Sequence, residues 1–192
     1  MSTPETSAPD HVDRIQAAWA TERPDLDVSP LGVIGRLHRV GSFLMVDLLA
    51  NYARFGLGEG DFDVLATLRR AGEPFELSPS DLARNTMVTT GAMTKRIDRL
   101  ERAGLLTRRT AEADGRARVI ALTSEGRDVI DIAFTAHIGE EHRLVAELDP
   151  RDRADLERIL STWLRRLDSA EDGGPVEGGP VDGEPADTNP EG

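Results

Sequence analysis

Seven residues close together in the chain have the chemistry of polyanion recognition: Thr89, Thr90, Gly91, Thr94, Lys95 and Arg102, and further on Arg116 in the run Asp114-Gly115-Arg116. Hydroxyl and ammonium groups donate hydrogen bonds to phosphate oxygens and base edges, and a glycine among them lets two backbones approach closely. An arginine at the tip of a turn suits a minor groove, where narrow A·T tracts attract guanidinium groups. Each feature has a plainer reading as well. Gly91 costs a helix about 1 kcal/mol against alanine and fits a helix-packing contact, and Arg116 can pair with Asp114 across its own turn.

The surrounding sequence supplies the elements that would position these groups. Ser78 is a helix cap, Pro79 suits the first helical position, and Asp81 stands three residues on as a capping-box acid. After a turn through Asn85-Thr86-Met87, a second helix is predicted from about Thr89 to Ala103, ended by Gly104 in the left-handed conformation. Its 3.6-residue period turns Met93, Ile97 and Leu100 inward and Gly91, Thr94, Lys95, Asp98 and Arg102 outward. Leu105–Arg109 and Arg118–Leu122 read as two strands joined through Asp114-Gly115. Together these parts describe a winged helix-turn-helix, a module that reads duplex DNA.

Net charge first opposes that reading, because the 192-residue chain carries −12 and acidic proteins bind polyanions poorly. The acids are concentrated at the ends. Residues 170–192 hold seven acids and no Lys or Arg, and residues 1–28 hold six acids against two Arg, so the middle is nearly neutral. Residues 78–118 hold nine Lys and Arg against five acids, a local +4 that fits one face meeting phosphates.

Helices are also predicted on both sides of the module. Ile34, Leu37, Leu44 and Leu48 form a stripe on a segment from Leu31 to about Phe55, and Asp61–Arg70 follows. Beyond the module, Glu125–Leu148 would span about 36 Å. Asp149-Pro150 breaks it, and Arg151–Leu167 carries Leu156, Ile159, Leu160, Trp163, Leu164 and Leu167. The expected fold is mainly α with a small β-hairpin wing, dimeric through its N- and C-terminal helices. The expected division is a disordered 1–10, a domain over 11–169 with the winged module at about 57–123 and dimerisation helices at about 11–55 and 124–169, and a disordered acidic tail over 170–192. A two-fold dimer would set two reading helices in successive major grooves and demand a near-palindromic site.

The chain has no cysteine, which excludes disulfides, thiol switches and thiolate metal sites. It has no apolar run of membrane-spanning length and no signal-peptide pattern, so a cytoplasmic protein without a membrane partner is expected. His137 and His142 flank Glu140-Glu141 without the spacing of a zinc helix motif, and no metal is assigned. No nucleophile–base pairing, phosphate-binding glycine loop or dinucleotide fingerprint is present, so neither an enzyme nor a cofactor is expected.

The run Ser80-Asp81-Leu82-Ala83, the stretch Lys95-Arg96-Ile97-Asp98-Arg99-Leu100-Glu101-Arg102-Ala103-Gly104-Leu105-Leu106 and the wing from Asp114-Gly115-Arg116 to Leu122-Thr123 resemble the MarR family of bacterial transcription regulators, from Val12 to Leu167. The resemblance implies an obligate dimer, usually a repressor released from DNA by a small molecule. The added segment His11–Trp19, followed by Trp19-Ala20-Thr21-Glu22-Arg23-Pro24-Asp25, is similar to the PecS-type, urate-responsive subgroup. That similarity implies a ligand site and relay at Trp19, Asp63, Arg96 and Arg108, with Asp61 an alternative to Asp63.

The helical period adds an argument of its own. Arg96 lies about 60° from Met93, on the margin of the inward stripe, so its guanidinium should be partly withdrawn and need a partner, with Asp63 the expected mate. A flat anion such as urate could take Arg96 bidentately, pack on Trp19 and repel Asp63. Against this stand plainer roles: Trp19 pinning its helix alongside Val12 and Ile15, Arg96 in a simple ion pair, Arg108 as a phosphate contact. The other readings kept open are a regulator answering phenolic or other aromatic anions, and a winged-helix protein-interaction module that senses nothing.

Overall fold

The computed structural model of the protein describes residues 8–86, 90–110 and 118–172. The elements run α1 (His11–Glu22), α2 (Leu31–Ala53), α3 (Glu59–Arg70), β1 (Glu76–Leu77), α4 (Pro79–Asn85), α5 (Thr90–Arg102), β2 (Leu106–Thr110), β3 (Arg118–Leu122), α6 (Ser124–Val145) and α7 (Pro150–Asp172). They fall into two units divided between Leu144 and Val145.

The first unit is built on one core. Phe62, Leu65 and Leu68 of α3, Leu82 of α4, Met93, Ile97 and Leu100 of α5, Leu106 and Ile120 of the sheet and Ile130 of α6 bury together with Tyr52 from the last turn of α2. The sheet is antiparallel in the order β1-β3-β2, with Arg108 opposite Ile120 and Leu77 opposite Ile120 on the other side. The expected hairpin strands are therefore paired, with a third strand beside them. Glu76-Leu77 is too short to show a period of its own, so nothing local announces it.

Local chemistry sets the ends of the reading module. The Ser78 hydroxyl accepts from the Asp81 amide at 3.1 Å, and Pro79 opens α4 where no amide hydrogen is needed. Gly104, at φ +75°, ends α5, with its amide donating to Glu101 O at 2.9 Å and the Leu105 amide to Leu100 O at 3.0 Å. This pair of bonds satisfies carbonyls that the last turn would otherwise leave open.

α1 docks on α2 through Arg36, whose guanidinium donates to Asp10 at 2.8 Å and to Asp13 at 2.6 Å. The amides of Val12 and Asp13 in turn donate to Asp10, which caps α1. Much of the α2 stripe stays out of the core of this unit. Val33, Ile34, Val40, Phe43, Leu44, Val46 and Leu49 are all exposed, so this helix presents apolar surface outward along most of its length.

The second unit is chiefly α7. Asp149 accepts from the amides of Arg151 and Asp152 at 2.8 and 2.9 Å and so caps α7, which Pro150 opens, while α6 has already ended at Val145. α7 runs to Asp172, into the stretch expected to be the tail. Leu156, Ile159, Leu160, Leu164 and Leu167 are exposed along it.

Candidate DNA-reading face and effector site

α5 is oriented by its period. Met93, Ile97 and Leu100 are buried, while Thr94, Lys95 and Arg102 are exposed. The helix also includes Thr90 and Gly91, which places their backbone in its first turn. Thr89 and Arg116 lie outside the described residues. The outward groups that are described share one face, able to meet a duplex.

Both flanks of α5 are gripped by ion pairs. On the β2 side, Arg108 donates to Asp98 and Glu101 of α5, and its backbone amide donates to Glu101 Oε1 at 3.1 Å. The hydrogen bond from Arg108 to Asp98, and the charge of both acids, hold the Arg108 guanidinium protonated still more firmly than usual. Arg108 thus ties β2 to the acids of α5. Beside it, Arg109 reaches across β3 to Glu76 on β1.

On the α3 side, Asp61 is 1% exposed. Its carboxylate accepts from the Gly58 amide at 2.8 Å and from Arg99 Nε at 3.1 Å, with Arg99 Nη2 completing the fork. The partner of Asp61 is therefore Arg99, which corrects the alternative that paired it with Arg96. A carboxylate withdrawn from water requires a cation beside it, and Arg99, though half exposed, reaches it from the margin of the helix.

Arg96 is partly buried, as its angle on α5 predicts. Its guanidinium lies close over Gly60: a methyl at that position would fall 2.0 Å from Nε and 2.1 Å from Cζ. Nη1 is buried and has no hydrogen-bond partner. A hidden cationic donor without an acceptor is costly. Asp63, the other expected member, is two residues beyond Asp61 on α3 and partly buried.

Trp19 is at the far end of α1, with 51% of its surface exposed. The structure thus brings Arg96 to the start of α3 and Arg108 to α5, and leaves the Trp19 indole half in solvent. Sequence reasoning missed one further group of side chains. Tyr52 OH is 3.2 Å from His137 Nδ1, His137 Nε2 is 3.2 Å from Glu141 Oε1, and the Tyr52 ring stacks on Phe62 with centroids 4.2 Å apart. Burial, and then the negative charges of Glu141, Glu59 and Asp63, push the Tyr52 phenol up to about 12. His137 and Glu141 show the i,i+4 spacing in sequence, but Tyr52 lies 85 residues from His137, beyond any local pattern.

Comparison with known proteins agrees with this geometry. The sequence profile of the MarR family matches residues 55–117, a span that includes α3, β1, α4, α5 and β2. The chain is 38% identical over 149 residues to the HTH-type transcriptional regulator PecS of Dickeya dadantii, covering 78% of this chain and 90% of that protein. Among solved structures, AbsC, a MarR family transcriptional regulator from Streptomyces coelicolor, matches with a TM-score of 0.65 at 26% identity, over 75% of this chain and 98% of that one. The Mycobacterium tuberculosis MarR family protein Rv2887, solved in complex with p-aminosalicylic acid, matches with a TM-score of 0.55 at 27% identity, over 68% and 97% of the two chains.

Proposed function

The chain belongs to the MarR family of transcription regulators, and from that premise we propose that it is a homodimeric repressor released from a near-palindromic operator by a small flat anion, urate or a related purine. DNA binding and transcription regulation come with the family. The observation that carries the proposal further is Arg96: its buried, unpartnered Nη1 sits on the reading helix at its contact with α3. An anion received there would gain a charge-assisted hydrogen bond and would alter how α5 rests on α3.

Release requires the anion to bind the DNA-incompetent state more tightly than the competent one. A coupling of about 1 to 3 kcal/mol corresponds to operator binding weakened about 5- to 150-fold. In this reading Arg96 takes the anion, Trp19 supplies an apolar face, Asp63 is the charge displaced, and Arg108 passes the shift of α5 to the wing. Thr89, Thr90, Gly91, Thr94, Lys95, Arg102 and Arg116 meet the DNA.

The pairing of two chains accounts for the outward apolar faces of α2 and α7. It also accounts for a groove of about 520 Å³ between α1 and α2, lined by Val12, Ile15, Phe43 and Val46 among others. Large exposed apolar patches mark protein interfaces. Such a regulator works beside the chromosome, in the cytoplasm, and no described helix is long and apolar enough to cross a membrane.

A second reading is favoured by Rv2887, which binds p-aminosalicylic acid: the effector is a phenolic or other aromatic anion. One experiment separates the two. Wild-type protein is bound to a labelled duplex enriched from a random pool, and urate, xanthine and salicylate are titrated while fluorescence anisotropy is followed. Urate or xanthine is expected to release the DNA, and Arg96→Ala and Trp19→Ala to blunt that response more than they weaken DNA binding. Release by salicylate alone transfers the proposal to aromatic acids, and indifference to all three at millimolar concentration removes the effector reading.

A further inference from the structure

α3 and α5 meet through an apolar contact and a polar one. The apolar contact places Met93, Ile97 and Leu100 in the core shared with Val64, Leu65 and Leu68. Such burial is non-directional: it keeps the apolar stripe of α5 on α3 but does not by itself select the fine rotation of α5 about its own axis. The polar contact is directional. Asp61 is held at the start of α3 by the Gly58 amide, and both oxygens face the Arg99 fork. Rotating α5 away would leave a carboxylate that is 1% exposed without its cation.

That grip lies close to the reading face. Thr94, Lys95 and Arg102, all exposed, are within one to two turns of Arg99 on the same helix. With side chains at a radius of about 5–6 Å from the axis, a rotation of about 30° moves their tips by about 3 Å, the full length of a hydrogen bond. A rotation of that size would take base-edge contacts out of range, whereas contacts to the more uniform phosphate backbone would survive.

We infer that Asp61 is a positioning residue for DNA reading: acting through Arg99, it sets the rotation of the recognition helix and never meets the DNA itself. This rests on α5 being the helix that reads the duplex. It assigns Arg99 to the protein rather than to a phosphate, despite its half-exposed side chain. It also explains why α5 is gripped on both flanks: Arg108 ties it to the wing, and Asp61 ties it to α3.

The test uses the full chain and two labelled duplexes of equal length, one enriched from a random pool by the wild-type protein and one with its order scrambled. Asp61→Asn keeps the size and an oxygen for the Gly58 amide but gives Arg99 no charge. Its affinity for the enriched duplex is expected to fall at least tenfold, with less than a threefold change on the scrambled one. Arg99→Lys, which retains a cation for phosphate but lacks the fork, should show the same pattern. The double variant should be no worse than the poorer single variant, because both remove one interaction.

A merely structural role would move both duplexes together in step with melting. That outcome overturns the inference, as do unchanged discrimination by Asp61→Asn and additive losses in the double variant. Should Asp61→Asn fail to fold, Arg99→Lys decides alone: retained discrimination refutes the inference, and lost discrimination upholds it. If the wild-type protein enriches no sequence, the DNA-reading premise itself falls, a result distinct from all of these.

Discussion

Arg96 and Arg99 leave one helix three residues apart and end in different surroundings: Arg99 on a buried carboxylate, Arg96 over a glycine with a buried nitrogen unpaired. The inward tilt of Arg96 is legible from the period of α5. Its neighbours are not, because Asp61 and Asp63 stand two apart on α3 and only packing determines which one faces which arginine. Gly60 tests the Arg96 site without removing the arginine. In Gly60→Ala the new methyl would occupy the guanidinium position, and the guanidinium, at the end of a flexible side chain, swings away. Melting should stay within a few degrees of wild type while the anion dose needed to release DNA rises at least fivefold; an unchanged dose would separate the effector from Arg96. A second residue-scale prediction concerns pH. The Asp13 amide and the Arg36 guanidinium lower the Asp10 carboxyl from 3.8 to about 2. A carboxyl whose folded-state value is lowered adds stability that is fully present above the unfolded value and is lost as pH falls through the folded one. Anchorage of α1 should therefore be constant through neutral pH and weaken between about pH 4 and pH 2. Trp19 fluorescence in a Trp163→Phe background reports it, and Asp10→Asn should lack the transition.

Elements are legible where one local rule decides them. Ser78-Pro79 starts α4, Gly104 ends α5, and the inward stripe of α5 is buried as the period requires. Strand β1 is not legible, since two residues cannot show alternation and their pairing with β3 depends on residues more than forty positions away. The start of α6 shows another non-local demand. The Thr123 hydroxyl accepts from the Gly126 amide at 2.9 Å, and Gly126 packs so closely on the chain before β2 that a Cβ would come within 1.8 Å of the Leu105 carbonyl oxygen. The obstacle is backbone and cannot swing aside as Arg96 can. Gly126→Ala should cost at least about 1–3 kcal/mol, the usual range for overpacking a close contact. Its denaturant midpoint should fall with the slope unchanged, and an unaltered midpoint would show that the β2–α6 junction adapts freely.

At the scale of the whole molecule, charge and apolar surface are both informative in the sequence itself. Acids gather at the two ends and Lys and Arg in the reading module, and α2 and α7 each carry exposed apolar side chains. Which side Ile34 and Leu44 face is not legible from their spacing, because a stripe that serves a second chain has the same period as one that serves its own core. In the fold they are exposed. The central claim is that two chains present two copies of α5 to one duplex. Light scattering of the complex with the enriched duplex, combined with hydroxyl-radical footprinting, tests it most directly. The account predicts two chains per duplex and two protected patches about 34 Å apart, one helical turn of DNA. One chain per duplex with a single protected patch would contradict it.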